Sequence, residues 1–169
     1  MDLIVARRQG EWRARFGKRR WPCAIGSGGL RADKREGDGA TPAGCWPFRR
    51  VLYRPDRLDP PVTAFPVTPI GRDDGWCDDP GDALYNRPVT LPYAASHERL
   101  WRDDTIYDVI VVLGHNDDPP RPGAGSAIFL HVARPDYRPT QGCVALALPH
   151  LLELLGAAAP ETRLCVQED

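Results

Sequence analysis

The sequence predicts a loop-rich, mainly β domain, and three observations point there. The chain has 169 residues, of which 16 are glycine and 18 proline, and so many breakers cut it into short elements and argue against a helical bundle. Its apolar runs are short, rich in β-branched residues and bounded by turn clusters. Its composition, 42% apolar and 27% charged, is that of an ordinary globular protein, with no run near the ~18 apolar residues that a membrane span needs. A length of 169 residues suits one domain, residues 1–169, with a single sizeable core.

Taken in order, Leu3 to Ala6 is a first short strand and Trp21 to Ile25 a second, stopped by Gly26-Ser27-Gly28-Gly29. Gly37 to Gly44 is a loop that delivers the chain into Cys45-Trp46-Pro47-Phe48 and Val51-Leu52-Tyr53. From Pro55 to Pro92 prolines and Asp/Gly pairs prevent long elements, so this segment reads as an extended cover over one face. Ser96 to Trp101 reads as one or two helical turns with Ser96 as N-cap. Tyr107 to Leu113 is continuously apolar and β-branched, which implies burial on both faces at the sheet's centre. Ala127 to Val132 is a second core strand, and the loop from Ala133 to Gln141 leads to Gly142-Cys143-Val144-Ala145-Leu146. Pro149 suits the first turn of a helix that Gly156 ends, and Thr162 to Val166 is the last strand.

Charge is unevenly placed. Residues 1–57 carry 14 Lys and Arg against 6 Asp and Glu, the remainder 8 against 17. The acidic remainder argues against nucleic-acid binding over the whole surface, and a solvated face is the simpler reading of the basic third. Five cysteines show no CxxC and no zinc-finger spacing, and no ligand spacing joins His97, His115 and the aspartates. Neither a metal nor another cofactor is expected. An odd count leaves at least one thiol unpaired, so either the compartment is reducing or one cysteine is reactive. Cys23, Cys45 and Cys165 lie in apolar strand contexts and read as core, while the aspartates around Cys77 disfavour its thiolate. The N-terminal apolar stretch is too short for a signal-peptide core, so no secretory signal is visible.

Chemistry concentrates at His131, near a strand end, and Cys143, at the end of the loop that follows. A neighbouring imidazole lets a thiol attack a carbonyl and supplies a proton to the leaving amine. Gly142 lets backbone approach a substrate, and amide N–H groups around Cys143 point to a site for an oxyanion. On spacing alone, a buried thiol and an ordinary core histidine remain open as the alternative.

Phe129-Leu130-His131 followed by Thr140-Gln141-Gly142-Cys143-Val144 resembles the signature of the L,D-transpeptidase catalytic domain (YkuD) family. Gly37 to Trp46 holds a second match, because Thr41-Pro42-x-Gly44 looks like that family's upstream Thr-Pro-x-Gly element. The resemblance implies a mainly β fold, a YkuD-like antiparallel β-sandwich with one or two short helices. It implies Cys143 as nucleophile, His131 as base, the Gly142 and Cys143 amides at the oxyanion, and the Val132 carbonyl orienting the imidazole, so that no side-chain acid is required. It implies peptidoglycan stem peptides as partners, joined through a thioester to a diaminopimelate amine, and a place in the periplasm or cell wall.

Gln141 stands where the family usually has His, Ala145 where it commonly has Arg or Asn, and the His-to-Cys loop is short. Some atypical proteobacterial members share that short loop and are thought to link L-alanine at stem position one to diaminopimelate at position three. That link and the ordinary 3–3 link both stay open. Thr140 and Gln141 border the donor pocket, Arg134 is a candidate for a substrate carboxylate, and His115 is either a substrate contact or a solvated turn. Trp76 to Pro80 with Tyr85-Asn86 is a candidate roof, and His150 reads as an exposed first-turn residue. Transpeptidase, hydrolase with the same pair, and inert binding module remain the three functions; the oligomeric state is open.

Overall fold

The computed structural model describes residues 1–168. The chain opens with β1 (Leu3–Arg8), β2 (Glu11–Phe16) and β3 (Arg19–Pro22). The β1–β2 turn uses Gln9 and Gly10 at φ 51° and 85°, the twin positive values a two-residue hairpin of the primed type demands. β4 (Leu30–Arg31) and β5 (Thr41–Pro42) pair with each other, and β6 (Gly44–Tyr53) runs for ten residues. β6 fuses two runs that the sequence separates at Arg49-Arg50. Both charges are accommodated, since Arg49 pairs with Asp117 at 2.9 Å and Arg50 lies over the Trp76 ring.

Short strands follow: β7 (Val67–Pro69), β8 (Asp74–Cys77), β9 (Pro88–Thr90) and β10 (His97–Arg99). β11 (Val109–Leu113), β12 (Phe129–Val132), β13 (Val144–Leu146), α1 (Leu148–Ala157) and β14 (Arg163–Val166) complete the described chain. The main sheet has the order β13-β12-β11-β6-β14-β1-β2-β3, with β7 beside β6. Most pairs are antiparallel as expected, but β12–β13, β1–β14 and β6–β7 are parallel, so the sheet is mixed. Beyond β3 the chain returns to β13. Ala24 and Ala145 exchange main-chain hydrogen bonds of 3.0 and 2.9 Å, so the sheet nearly closes on itself.

Strand alternation divides the interior. Val109, Val111 and Leu113 of β11 enter the large core with Leu130, Val132, Val144 and Leu146, which Leu151, Leu154 and Leu155 of α1 cover. Ile110 and Val112 face the other way, into a second core with Phe129, Tyr107, Trp76, Leu100 and Cys143. β11 is therefore buried on both faces, although it stands third along the sheet and β6 and β14 occupy the middle. In the β10-β8-β9 sheet, β8 and β9 fall within the expected cover, which supplies Trp76 to the second core, while β10 lies beyond it.

Three expectations are corrected. Ser96 to Trp101 is no helix: His97, Glu98 and Arg99 pair with Cys77, Trp76 and Gly75 of β8, a long-range ladder that overrides a weak local cap signal. Cys45 and Cys165 are not separate core thiols; they face each other across β6 and β14 and form a disulfide, with Cys45 exposed. His150 is half-buried and stacks on Trp21 at 5.7 Å.

The disulfide joins residues 120 positions apart. Closing so long a loop restricts the unfolded chain, a contribution of about 5 kcal/mol in the chain-entropy picture and typically about 2–5 kcal/mol when such a bridge is removed. Cys45→Ala/Cys165→Ala should lower the unfolding free energy by about 2–5 kcal/mol. Urea titration under non-reducing conditions measures this, and an unchanged midpoint would show that β6–β14 pairing needs no bridge.

Candidate active site

His131 and Cys143 reach one cavity because of how β12 and β13 alternate. Leu130 pairs with Val144 and His131 with Ala145 in parallel register, so Leu130, Val132, Val144 and Leu146 point into the large core. Phe129, His131, Cys143 and Ala145 take the opposite face. Cys143 is thus a diagonal neighbour of His131 across the strand pair. Both line a cavity of about 630 Å³ between this sheet edge and the β10-β8-β9 cover.

The Cys143 loop is fastened by Thr41. Its hydroxyl accepts the Gly26 N–H and donates to the Gly142 carbonyl, both at 2.8 Å. Gly142 sits at φ +132°, and a Cβ there would meet the Ala40 carbonyl at 2.9 Å. A Cβ on Gly26 would lie 2.8 Å from Gly142 Cα. Only glycines let three chain segments meet here. Thr140 closes the loop from the other side, donating from Oγ1 to the Cys143 carbonyl at 2.6 Å and accepting the Gly142 N–H at 3.1 Å. The Gly142 amide, expected to face an oxyanion, is therefore engaged by Thr140 in the resting structure.

Both chemical groups rest neutral. Cys143 Sγ accepts the Phe129 N–H at 3.3 Å and donates to the Ala127 carbonyl at 3.2 Å. Burial pushes this thiol up to about 12, with the Glu98 carboxylate adding to the rise. Burial holds His131 down at about 4, opposed by the Val132 carbonyl and aided by the cations Arg102 and Arg134. His131 Nδ1 lies 3.0 Å from the Val132 carbonyl oxygen, which only accepts, so Nδ1 carries the proton and Nε2 keeps its lone pair. The thiol's hydrogen bond goes to Ala127 and not to His131, so a neutral base and a neutral thiol share the cavity without a preformed ion pair, and the base can take the S–H proton as sulfur attacks.

The remaining expected residues distribute unevenly. Thr140, Gln141 and Arg134 line the cavity. Arg134 shares Asp104 with Arg102, at 3.1 and 2.7 Å, which leaves two guanidiniums against one carboxylate. His115 does not line it. β11 and β12 are antiparallel, so His115 lies beyond the far end of β11 from His131, buried edge-on against Trp46 at 4.7 Å. Of the expected roof, Asp78 lines the cavity, while Asn86 works from behind. Its Oδ1 accepts the Trp76 indole N–H at 2.9 Å and the Ala127 N–H at 3.1 Å. That contact fixes Ala127, at φ 50°, whose carbonyl receives the Cys143 thiol.

Sequence reasoning missed Tyr107, Glu98 and Arg102, which also line the cavity. Tyr107 is buried against the His131 ring at 5.4 Å and donates its hydroxyl to Glu98 Oε2 at 2.8 Å. The misread helix hid Glu98, because only strand alternation in β10 turns it inward. Tyr107 was submerged in an apolar run. No group of three His, Cys, Asp or Glu among the described residues is arranged to hold a metal ion.

Two histidines make the fold sensitive to acid. His115, buried and facing Lys34, is held at about 4 like His131, against 6.5 for an ordinary histidine. Between pH 6.5 and about 4 the unfolded chain binds protons that the folded chain refuses, so stability falls as pH drops through that window. Urea midpoints at both ends of the window should show this fall, and His115→Gln should make it shallower. An equally steep fall in the variant would remove His115 from the account.

A neutral thiol and imidazole share one cavity, held by a Thr41 clasp from the Thr-Pro-x-Gly element. A family model described as the L,D-transpeptidase catalytic domain (YkuD) matches residues 4–166. A search among curated proteins finds no match. With fold, cavity and a match over nearly the whole sequence in agreement, the chain belongs to the L,D-transpeptidase catalytic domain family.

Proposed function

We propose that this protein is a cysteine-dependent acyltransferase of peptidoglycan stem peptides, with Cys143 as nucleophile and His131 as general base. The family supports L,D-transpeptidase-type catalysis in peptidoglycan metabolism, and the presence of Cys143 and His131 in one cavity supports this assignment of roles. His131 Nε2 takes the Cys143 proton as sulfur adds to the donor carbonyl. The developing oxyanion is placed at the Cys143 amide, and the protonated imidazole then gives its proton to the departing amine. A thioester remains. A second stem's amine, typically the side-chain amine of diaminopimelate, attacks it and releases the thiolate, which recovers a proton and closes the cycle. The donor is either the residue of a 3–3 link or the L-alanine at stem position one, joined to diaminopimelate at position three. Water in place of the amine would make the protein a hydrolase with the same Cys143–His131 pair.

A disulfide at Cys45–Cys165 supports an oxidising location such as the periplasm or cell wall. No helix among the described residues is long and apolar enough to cross a membrane. Gln141 is exposed at the cavity mouth, where a side-chain amide offers a hydrogen bond to the donor without a titrating charge.

A carbapenem presents a strained amide carbonyl to the same sulfur and should add its whole mass to the protein. Cys143→Ala should abolish the adduct, although Cys23 and Cys77 remain as buried thiols. His131→Ala should slow acylation by on the order of 10²–10⁴-fold, the usual worth of positioned proton transfer. His115→Ala should cost far less. Mass spectrometry of muropeptides incubated with the protein separates the outcomes: new dimers for the transferase, shortened monomers for the hydrolase. No muropeptide change together with a Cys143 inert to carbapenem would refute the proposal.

A further inference from the structure

Two threonine hydroxyls fasten Gly142 and Cys143. Thr140 Oγ1 accepts the Gly142 N–H at 3.1 Å and donates to the Cys143 carbonyl at 2.6 Å. Thr41 Oγ1 donates to the Gly142 carbonyl at 2.8 Å. Of the four polar main-chain groups of these two residues, the threonines engage three. The fourth is the Cys143 N–H, the donor at which the proposed mechanism places the oxyanion.

The Gly142 carbonyl and the Cys143 N–H belong to one peptide unit. A trans peptide is planar and sets its oxygen and its hydrogen on opposite sides, so whatever holds the carbonyl also fixes the direction of the N–H. Gly142, at φ +132°, has the widest choice of backbone angles, and Thr41 restrains it. Thr41 is 1% exposed and does not line the cavity, so a substrate held there does not touch it. Its oxygen accepts the Gly26 N–H at 2.8 Å, and a chain of hydrogen bonds therefore runs from Gly26 through the Thr41 hydroxyl to Gly142. In buried surroundings each bond of such a chain polarises the next, and a carbonyl that accepts a hydrogen bond makes the N–H of the same peptide a better donor.

Building on the acyltransferase reading, we propose that Thr41 is the positioning residue of the oxyanion site: through the Gly142 carbonyl it aims and polarises the Cys143 N–H toward the oxygen of the carbonyl under attack. As Cys143 Sγ adds to the carbonyl carbon, the π pair moves onto that oxygen and the S–H proton goes to His131. When the C–N bond breaks, the pair returns to form the thioester carbonyl and the amine leaves with the proton from His131. Full charge stands on the oxygen only between these two events. Thr41 therefore lowers the barrier without tightening the binding of substrate.

Two reactions of the same sulfur separate this role from a structural one. Acylation by a carbapenem builds an oxyanion, whereas alkylation by iodoacetamide displaces iodide from a saturated carbon and builds none. Thr41→Val removes the hydroxyl and keeps the shape. It should slow acylation at saturating carbapenem by on the order of 10–100-fold, below the ~10²–10³-fold of losing an oxyanion donor outright, with the half-saturating concentration unchanged. Alkylation of Cys143 in the same buffer, read by peptide mass spectrometry, should keep the wild-type rate. Thr41→Ser, which retains the donor, should recover most of the acylation. If Val at this buried polar position impairs folding, Thr41→Ala reads the same two rates. Unchanged acylation in the variants without a hydroxyl, or acylation and alkylation falling together, would overturn the inference and leave Cys143 as nucleophile. A wild type that is alkylated at Cys143 but acylated by neither carbapenem nor donor stem peptide would overturn the acyltransferase reading itself.

Discussion

The Thr41 hydroxyl, accepting from Gly26 and donating to Gly142, is the contact on which the site's geometry depends. It ties the segment after β3, the segment of β5 and the loop before β13 at one point, and Gly26 and Gly142 lack the Cβ atoms that would force them apart. The same return of the chain carries Ala24 onto Ala145 and nearly closes the sheet. Closure of the fold and placement of the sulfur are therefore a single structural event. Cys143 then has little freedom: its carbonyl is bound by Thr140, and its thiol sits between the Phe129 amide and the Ala127 carbonyl.

Burial sets the electrostatics of what is held there. Burial penalises charge on either partner, so thiol and imidazole both rest neutral. The arginines beside His131 disfavour its protonation further, and the Glu98 carboxylate near Cys143 disfavours a thiolate. A resting thiol is a weak nucleophile toward small electrophiles. In the proposed mechanism, reactivity depends on a substrate that fills the cavity and lets the S–H proton pass to Nε2.

Much of this was legible in the sequence where the signal is local. Pro149 ahead of a leucine-rich run marked the helix, the β-branched stretch before Leu113 marked a strand buried on both faces, and the short motifs around His131, Thr41 and Cys143 marked the cavity. What was not legible depends on partners far along the chain. Cys45 and Cys165 look like two apolar strand residues until β6 and β14 align. Glu98 sits in three residues whose strand character comes wholly from pairing with β8, so neither its conformation nor its direction is written locally. His115 shows the reverse: a histidine just past a core strand invites a functional reading, but the antiparallel sense of β11 and β12 carries it away from His131.

The ionisation state of Cys143 in the free protein tests the central claim most directly. Alkylation of Cys143 by iodoacetamide, followed site by site by peptide mass spectrometry from mildly acidic to alkaline pH under native conditions, reports its thiolate fraction. A neutral buried pair predicts a slow rate that climbs throughout this range without a plateau, because the thiol is held at about 12 and His131 at about 4. A rapid rate already levelling off near neutral pH would reveal a standing thiolate–imidazolium pair and contradict the account.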